Sequence, residues 1–554
     1  MQRIKGQGNA KAKIFIVGMA PEKNEALQNK PFVGWSGQCL DRALAANGIN
    51  RDDTFVTNIS EIPLYEFGRE VTSLHKLPHT FVDAELQRLK REILSVQPNI
   101  IFCLGDEPNY YLTNKDGITK WRGSILPCSL VPGFKCLATI HPAWIQKGMW
   151  RWLTIFSSVD IKRGVEESTS SNLRYPSILE HIAPTVKQVV EFCHAASKQA
   201  WTTFDIETVA WNKDRPGSIA CLGLGYSGKE AMCVPFLQTK TKAFYSEADE
   251  VQVWKALASL LESETCKIGQ NFSFDWLYLW LYGIYPRNPY IDTMLLHHCL
   301  YPDFGGVDDF FGRRGKRLDK PGHSLGFINS CYTSWPYYKD DSKFWESGDV
   351  ENLWHYNIKD VVVTHTAAVK LMQEAVVAGM WQYFCDLYMD PFLPALVSEW
   401  DGIEIDLKLR DMATIETTER IREVQELLEQ NLGFKINVAS PDQIQDLLYK
   451  VKKYQIKFNK QTGRPTADKY VLEFFATKYQ DPDLKHIMEI RKLRDFRSDV
   501  LEQKLDFNNR IHTHWKIGGT NGARWSSGKG ILGNGTNFQN IPRKGLARRL
   551  FIAS

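Results

Sequence analysis

The sequence predicts a multidomain α/β chain whose last part turns mainly helical. Three observations carry that expectation. The chain has 554 residues, and single hydrophobic cores seldom grow beyond about 250–300 residues, so several domains are expected. Between residue 12 and about residue 370, short apolar strands alternate with helical patterns, the signature of a sheet with crossover helices. From Pro391 onward, long helical periodicities replace that alternation.

In the first region, residues 12–160, the apolar runs Ile14–Val17, Thr54–Val56, Ile100–Cys103 and Cys136–Thr139 alternate with helical stretches such as Ala84–Val96. This order suits a doubly wound parallel sheet, whose strands are buried on both faces. The polar run Glu166–Asn172 reads as a linker. A second α/β region opens on the strand Trp201–Ile206 and continues to about Lys370. Beyond it, Leu407–Asn431 and Leu484–Leu505 follow the helical period, and Ser440 offers an N-cap with Pro441 at the first helical position. The expected divisions are residues 1–165, a linker at 166–178, 179–378 and 379–554. No internal repeat is visible.

The eleven cysteines form no C-x-x-C pair, so neither a zinc ribbon nor a disulfide framework is indicated. Reduced thiols in a cytoplasmic protein (host cytoplasm for a viral one) are expected. No apolar run reaches 18 residues and Met1–Lys11 has no apolar core, so no membrane segment or signal peptide is expected. Charge is unevenly placed. Residues 441–554 hold 22 Lys and Arg against 11 Asp and Glu, whereas the rest of the chain is net acidic. A basic C-terminal part suits a polyanion such as DNA; the plainer alternative is a solvated basic face.

The sharpest chemistry is central. Asp205 and Glu207 sit two apart on a strand, which places both carboxylates on one face. Asp275 ends the run Ile268–Asp275, on another strand or helix edge. Tyr356 and Asp360 are four apart on a helix, on one side. Converging acids repel unless divalent cations neutralise them, and Mg²⁺ or Mn²⁺ take such oxygen donors. Two such ions support phosphodiester hydrolysis. Taken singly, each piece is weak, since a D-x-E on a strand is more often a pair of solvated strand acids and a Y-x-x-x-D on a helix is weaker still.

In this order and spacing the set resembles the DEDDy 3′–5′ exonuclease domain, ribonuclease H-like in fold, that is fused to family A DNA polymerases. Ile291–Leu296 and His323-Ser324-Leu325 resemble runs of the same family. The resemblance implies that Asp205, Glu207, Asp275 and Asp360 hold two Mg²⁺ or Mn²⁺ ions, with Glu207 also catalytic, and that Tyr356 positions the attacking water in proofreading.

The C-terminal part resembles the same polymerase family. Trp400–Asp406, Asn437–Tyr449 and Gly463–Lys469 are similar to its thumb. Thr520–Ser527, Asn537–Pro542 and Leu550–Ser554 are similar to the first part of its palm. The resemblance implies a mainly helical thumb plus a partial palm. It further implies that Arg491, Lys492, Arg494 and Arg497 face the duplex backbone, that Arg524 reaches the primer, and that Gln539 and Asn540 meet the template. Phosphate contacts of this kind position DNA and do not read its sequence. Ala523, Trp525 and the glycines 528, 530, 533 and 535 depart from the family pattern, and a loop surface arginine is the alternative for Arg524. The family's catalytic palm aspartates and fingers lie beyond Ser554. The expectation is therefore a fragment or subunit whose synthesis depends on a second chain carrying them.

Ile14–Pro21, Pro31–Gly34, Thr57-Asn58 and His141-Pro142-Ala143 resemble the uracil-DNA glycosylase superfamily, nearest its iron–sulfur families. Leu104-Gly105 and Arg122-Gly123 fit the same pattern. The resemblance implies a base pocket of Gly18, Phe32, Asn58 and His141. In it Phe32 stacks on a flipped base, Asn58 reads its amide edge, and His141 polarises its carbonyl. Met19 stands where active relatives carry an acidic or polar group, and Glu22 and Glu25 lie at a different spacing. Ile62 replaces a cluster cysteine, so no iron–sulfur cluster is expected. Base excision, binding without cleavage and an architectural role remain open. For the whole chain, two readings stand beside the polymerase-associated exonuclease: a non-catalytic DNA-binding assembly module, and a uracil-DNA repair enzyme.

Overall fold

The computed structural model describes residues 2–146, 151–209, 217–239, 242–305, 322–341, 350–459, 463–532, 535–541 and 546–552. Gly533, Pro542, Ala553 and Ser554 of the C-terminal motifs lie outside the described residues. The chain divides into two compact units. One holds residues 1–212, 217–393 and 517–525; the other holds 213–216, 394–516 and 526–554.

The first unit begins with a six-stranded sheet. Its order is Gln7–Gly8, Phe55–Asn58, Ile14–Gly18, Ile100–Leu104, Lys135–Thr139 and Ile125–Pro127, with the four central strands parallel. Alternate residues feed opposite cores. Ile14, Ile16, Ile100, Phe102 and Leu137 pack on one side, and Phe15, Val17, Ile101, Cys103 and Cys136 on the other. That double burial explains why these strands read as unbroken apolar runs. The second strand starts at Phe55, one residue later than its apolar run implied, and extends to Asn58. Thr54 closes the preceding turn through its hydroxyl to Arg51 O, and Asn58 pairs with Gly18.

Glu166 and Glu167, expected in a linker, instead complete the helix Lys162–Glu167. Buried Lys135 donates to Glu167 Oε2 at 2.6 Å and to Asn172 O at 3.1 Å. An unpaired buried ammonium is costly, so the polar run is drawn back onto the sheet.

A second sheet follows in the same unit, ordered Pro289–Asp292, Cys266–Gly269, Trp201–Val209, Ser218–Gly225, Glu230–Pro235 and Leu179–Ile182. Its centre is antiparallel and its flanks are parallel. The 28-residue helix Val350–Val377 crosses its face, burying Ile358, Val361 and Val362 against Ala220, Cys221, Ala231 and Cys233. Gly223 permits that approach: a Cβ there would collide with Asn357 and Val361.

The second unit is mainly helical. Leu407–Leu432 is capped by Asp406, whose carboxylate accepts from Leu409 N at 2.9 Å, and ends at Gly433 in the left-handed region. It packs with Lys469–Tyr479 and Pro482–Phe496 around Val424, Leu428, Leu472, Phe475, Ile487 and Ile490. Ser440 caps the helix at Pro441, accepting from Gln443 N. Ile403–Ile405 pairs antiparallel with Arg510–Ile511 and Phe551–Ile552. Among the described residues, no single helix is long and apolar enough to cross a membrane.

Candidate functional site

The strand Trp201–Val209 presents Asp205 and Glu207 on one face, and the helix Val350–Val377 brings Asp360 to them. One carboxylate oxygen from each lies within 4.8 Å of the others. Among the described residues this is the one grouping of three His, Cys, Asp or Glu ligand atoms so placed. Burial, then the nearby Asp360 charge, pushes the Asp205 carboxyl up to about 7. Burial and the charges of Asp205 and Asp360 hold Glu207 well above the usual carboxylate range. Such a site favours either protons or a cation.

Asp275 stands beside that trio, in the first turn of the helix Ser273–Leu281. Its Oδ1 accepts from Ile206 N at 2.8 Å, fastening the backbone between Asp205 and Glu207. Burial, then Asp205, raises its carboxyl as well. Asn357, between Tyr356 and Asp360 in sequence, donates through Nδ2 to Asp205 Oδ2 at 2.8 Å.

Two neighbours escaped the motif reading. Tyr338 OH donates to Asp360 Oδ1 at 2.7 Å. Lys339 Nζ lies 2.5 Å from both Tyr356 OH and Asp360 Oδ2. The dense run Trp335-Pro336-Tyr337-Tyr338-Lys339 is the sequence signal that marks them, though nothing local says where it points.

The remaining central motifs build the scaffold. Asp292 accepts from Asn271 N, Phe272 N, Met294 N and Leu295 N, fixing the turn before Asp275 and capping Thr293–Leu300. Ser324 caps Leu325–Tyr332. Buried His323 meets Gly305 O through Nε2 at 2.9 Å and His297 Nδ1 through its own Nδ1 at 2.7 Å. Donation to a carbonyl requires the proton on His323 Nε2, so in the neutral pair His297 Nδ1 is the donor. Burial lowers both rings, His323 to about 3.

In the N-terminal sheet, Gly18 and Asn58 end adjacent parallel strands and His141 follows a third. The carboxyl edge of a doubly wound sheet is where such folds bind ligands. The Phe32 and His141 rings lie 5.9 Å apart, tilted by 39°. A Cβ at Gly18 would collide with Asn58 Oδ1 and the Phe32 ring, so glycine is what allows the three to close in. Phe32 has a φ of 55° and is buried. A non-glycine residue in that region carries strain, which clusters at functional sites. Glu25 holds it there: its Oε1 accepts from Phe32 N at 3.0 Å while Oε2 accepts from Glu22 N. Its carboxylate is thereby committed to two backbone amides. His141 Nδ1 accepts from Ala143 N at 3.2 Å, which puts the ring proton of the neutral form on Nε2. Met19 packs on an apolar cluster and Ile62 is buried.

The cationic candidates differ from one another. Arg491 Nε donates to Val438 O at 2.8 Å and Nη1 to Ala467 O at 3.4 Å, so much of its guanidinium already binds backbone. Arg497 pairs with Glu502 at 3.0 Å. Lys492 is exposed and Arg494 is half-buried. Arg491, Lys492 and Asn540 line a cavity of about 970 Å³, with Lys469, Glu489 and Asp495 also on its wall. Gln539 and Asn540 are exposed on a turn capped by Asn537. Arg524 N donates to Thr520 Oγ1 at 3.1 Å, and Ala523 before it takes a φ of 55°.

Residues 5–154 match the family model described as uracil DNA glycosylase superfamily, and residues 408–554 that of DNA polymerase family A. A DNA polymerase of Bacillus phage SP01 is 24% identical over 98% of this chain and 64% of its own length. A type-4 uracil-DNA glycosylase of Saccharolobus solfataricus is 35% identical over 25% of this chain and 65% of its own. The polymerase domain of Pol1 from M. smegmatis, solved with DNA primer-template and dNTP, gives a TM-score of 0.49 at 20% identity. It covers 67% of this chain and 57% of that one. The chain thus spans just under two thirds of the phage polymerase and of the archaeal glycosylase. Its front is similar to the uracil-DNA glycosylase superfamily and its end to DNA polymerase family A.

Proposed function

We propose that this chain serves DNA replication as part of a family A DNA polymerase, with a metal-dependent 3′–5′ exonuclease between the two matched segments. The observation that carries this reading is the convergence of Asp205, Glu207 and Asp360 beside Tyr356. The donor set is all hard oxygen, and the raised carboxyls mark a site that gains by taking up positive charge, so the residues fit Mg²⁺ or Mn²⁺. Asp205, Glu207 and Asp360 would hold such ions, with Asp275 bracing the strand. Bound there, divalent cations supply charge neutralisation and water activation.

The chain's own residues orient the reaction. Tyr356 OH, fixed on the helix by its neighbours, aligns a water with the terminal phosphorus. Water oxygen bonds to phosphorus, the P–O3′ bond breaks, and the leaving 3′-oxygen takes up a proton. The product is a nucleoside 5′-monophosphate. Digestion of 3′-terminal single-stranded DNA with Mg²⁺ tests this: Asp360→Ala is expected to abolish it, and equal digestion by that variant refutes the assignment.

The basic second unit is the proposed grip on primer–template, through Lys492, Arg494 and Asn540; the Arg524 loop, in the first unit, is proposed separately as a primer contact. A complementing chain has no support in the structure or in the matched relatives.

For the N-terminal domain we propose recognition of an extruded pyrimidine. Phe32 supplies the stacking face, Asn58 the amide-reading edge, and His141 a donor at Nε2. With Met19 in place of an acid and Glu25 engaged by backbone, neither of these described residues offers a carboxylate poised to activate water. Uracil-containing single strands should be retained over thymine-containing ones, and His141→Ala should remove the preference.

A further inference from the structure

The loop Trp335–Asp341 touches two parts of the first unit at once. On one side it meets the N-terminal domain. Tyr337 N donates to Ser124 Oγ at 3.0 Å, the Tyr337 ring meets Trp121 edge-on at 5.2 Å, and Lys120 Nζ pairs with Asp340 at 2.6 Å. On the other side it enters the acid site, where Tyr338 OH donates to Asp360 Oδ1. The next residue, Lys339, holds its ammonium 2.5 Å from both Asp360 Oδ2 and Tyr356 OH and above the Tyr356 ring at 4.6 Å. The same ammonium bears favourably on the charges of Asp205 and Glu207.

We propose that Lys339 is a built-in cation of the acid site, presented by a loop that the N-terminal domain holds in place, and that it yields Asp360 and Tyr356 to an incoming divalent cation. The inference rests on the reading of the acid trio as a divalent-cation site. Repulsion among carboxylates must be balanced in the metal-free protein, and Lys339 sits where one charge does the most. It also donates to Tyr356 OH, which fixes that hydroxyl as an acceptor and sets the direction of its own proton. Lys339 is thus a positioning residue, and the glycosylase-like domain becomes a structural arm of the nuclease site. Extending a lysine into this cluster costs side-chain entropy; the ion pair with Asp360 opposes that cost, and the clamp of Tyr337 and Asp340 on the neighbouring domain holds the loop that presents it.

Titration of the full chain with Mn²⁺, followed by the electron paramagnetic resonance of free Mn²⁺, tests the proposal without reference to activity. Lys339→Met is expected to bind Mn²⁺ about tenfold more tightly, because a unit positive charge leaves the immediate surroundings of the ion. Lys339→Arg is expected to stay near the parent protein, and Trp121→Ala to shift part of the way toward Lys339→Met. Damage to the fold would weaken binding, so a gain separates the two causes. Unchanged or weaker binding by Lys339→Met, with the parent binding and Asp360→Asn not, overturns this inference alone. Trp121→Ala at the parent affinity overturns the role given to the N-terminal domain. No saturable binding by any of the proteins overturns the metal reading and this inference together.

Discussion

Asn357 Nδ2 donates to Asp205 Oδ2 at 2.8 Å and to Asp205 O at 3.2 Å, so one amide fixes both the side chain and the backbone of an acid 152 positions away. The helix that carries Tyr356 and Asp360 is thereby registered against the strand that carries Asp205 and Glu207. Replacing Asn357 by Ala is expected to lower the kcat of the proposed nuclease about tenfold, the worth of one hydrogen bond to a charged group. KM for single-stranded DNA should change little, and steady-state digestion kinetics provide the check.

Tyr356→Phe removes the hydroxyl and keeps the ring, which is buried against Tyr338. The expected loss in kcat is about a hundredfold, with unchanged Mn²⁺ binding, since a group that orients a proton carrier acts in the transition state. A variant with full kcat would remove Tyr356 from the chemistry.

Arg122 and Asp160 are both buried and meet at 3.1 Å through Nε. Thr139 OH and Ser330 OH complete the network, linking the N-terminal sheet to the helix Leu325–Tyr332. Asp160→Ala leaves a buried guanidinium without its counter-charge, and a cost of about 3–5 kcal/mol is expected. The double change Arg122→Met with Asp160→Leu should cost less than either single change, as read from urea unfolding midpoints.

His323 is held to about 3, below the ordinary histidine value, by burial beside His297 and His298. A folded-state value below the unfolded one gives stability that is present above about pH 6.5 and lost as pH falls toward 3. His323→Gln keeps a donor for Gly305 O and an acceptor for His297. It should remove one proton's worth of the slope of unfolding free energy against pH, roughly 1.4 kcal/mol per pH unit. Urea unfolding at pH 7, 6 and 5 measures it; a slope equal to the parent's refutes the assignment.

Gly223→Ala places a methyl group against Asn357 and Val361. Overpacking at such a contact costs about 1–3 kcal/mol. Because the intrusion falls on Asn357, nuclease activity should drop together with Tm.

Much of the architecture was legible in the chain because its signals are local. Strands buried on both faces show as apolar runs, as Ile14–Gly18 and Ile100–Leu104 do, and the long helix after Asp406 announces itself by its cap and period. The grouping of the acids was legible too, since Asp205 and Glu207 share a strand face and Tyr356 and Asp360 share a helix face. Local spacing could not say that Asp275 would bind the Ile206 amide, nor that Arg491 would turn its guanidinium toward two backbone carbonyls.

What the sequence determined by itself is which groups are present and how they are spaced: carboxylates two apart on a strand, a tyrosine and an aspartate four apart on a helix, an aromatic and a histidine near the front, cations toward the end. What only the tertiary structure decided is which groups meet. Arg122 finds Ser330 across 208 positions, and Lys339 enters the acid site while its neighbours hold another domain. The physical reason is that periodicity encodes the face a side chain takes on its own element. The partner it meets is set by long-range packing and by the need to satisfy every buried charge.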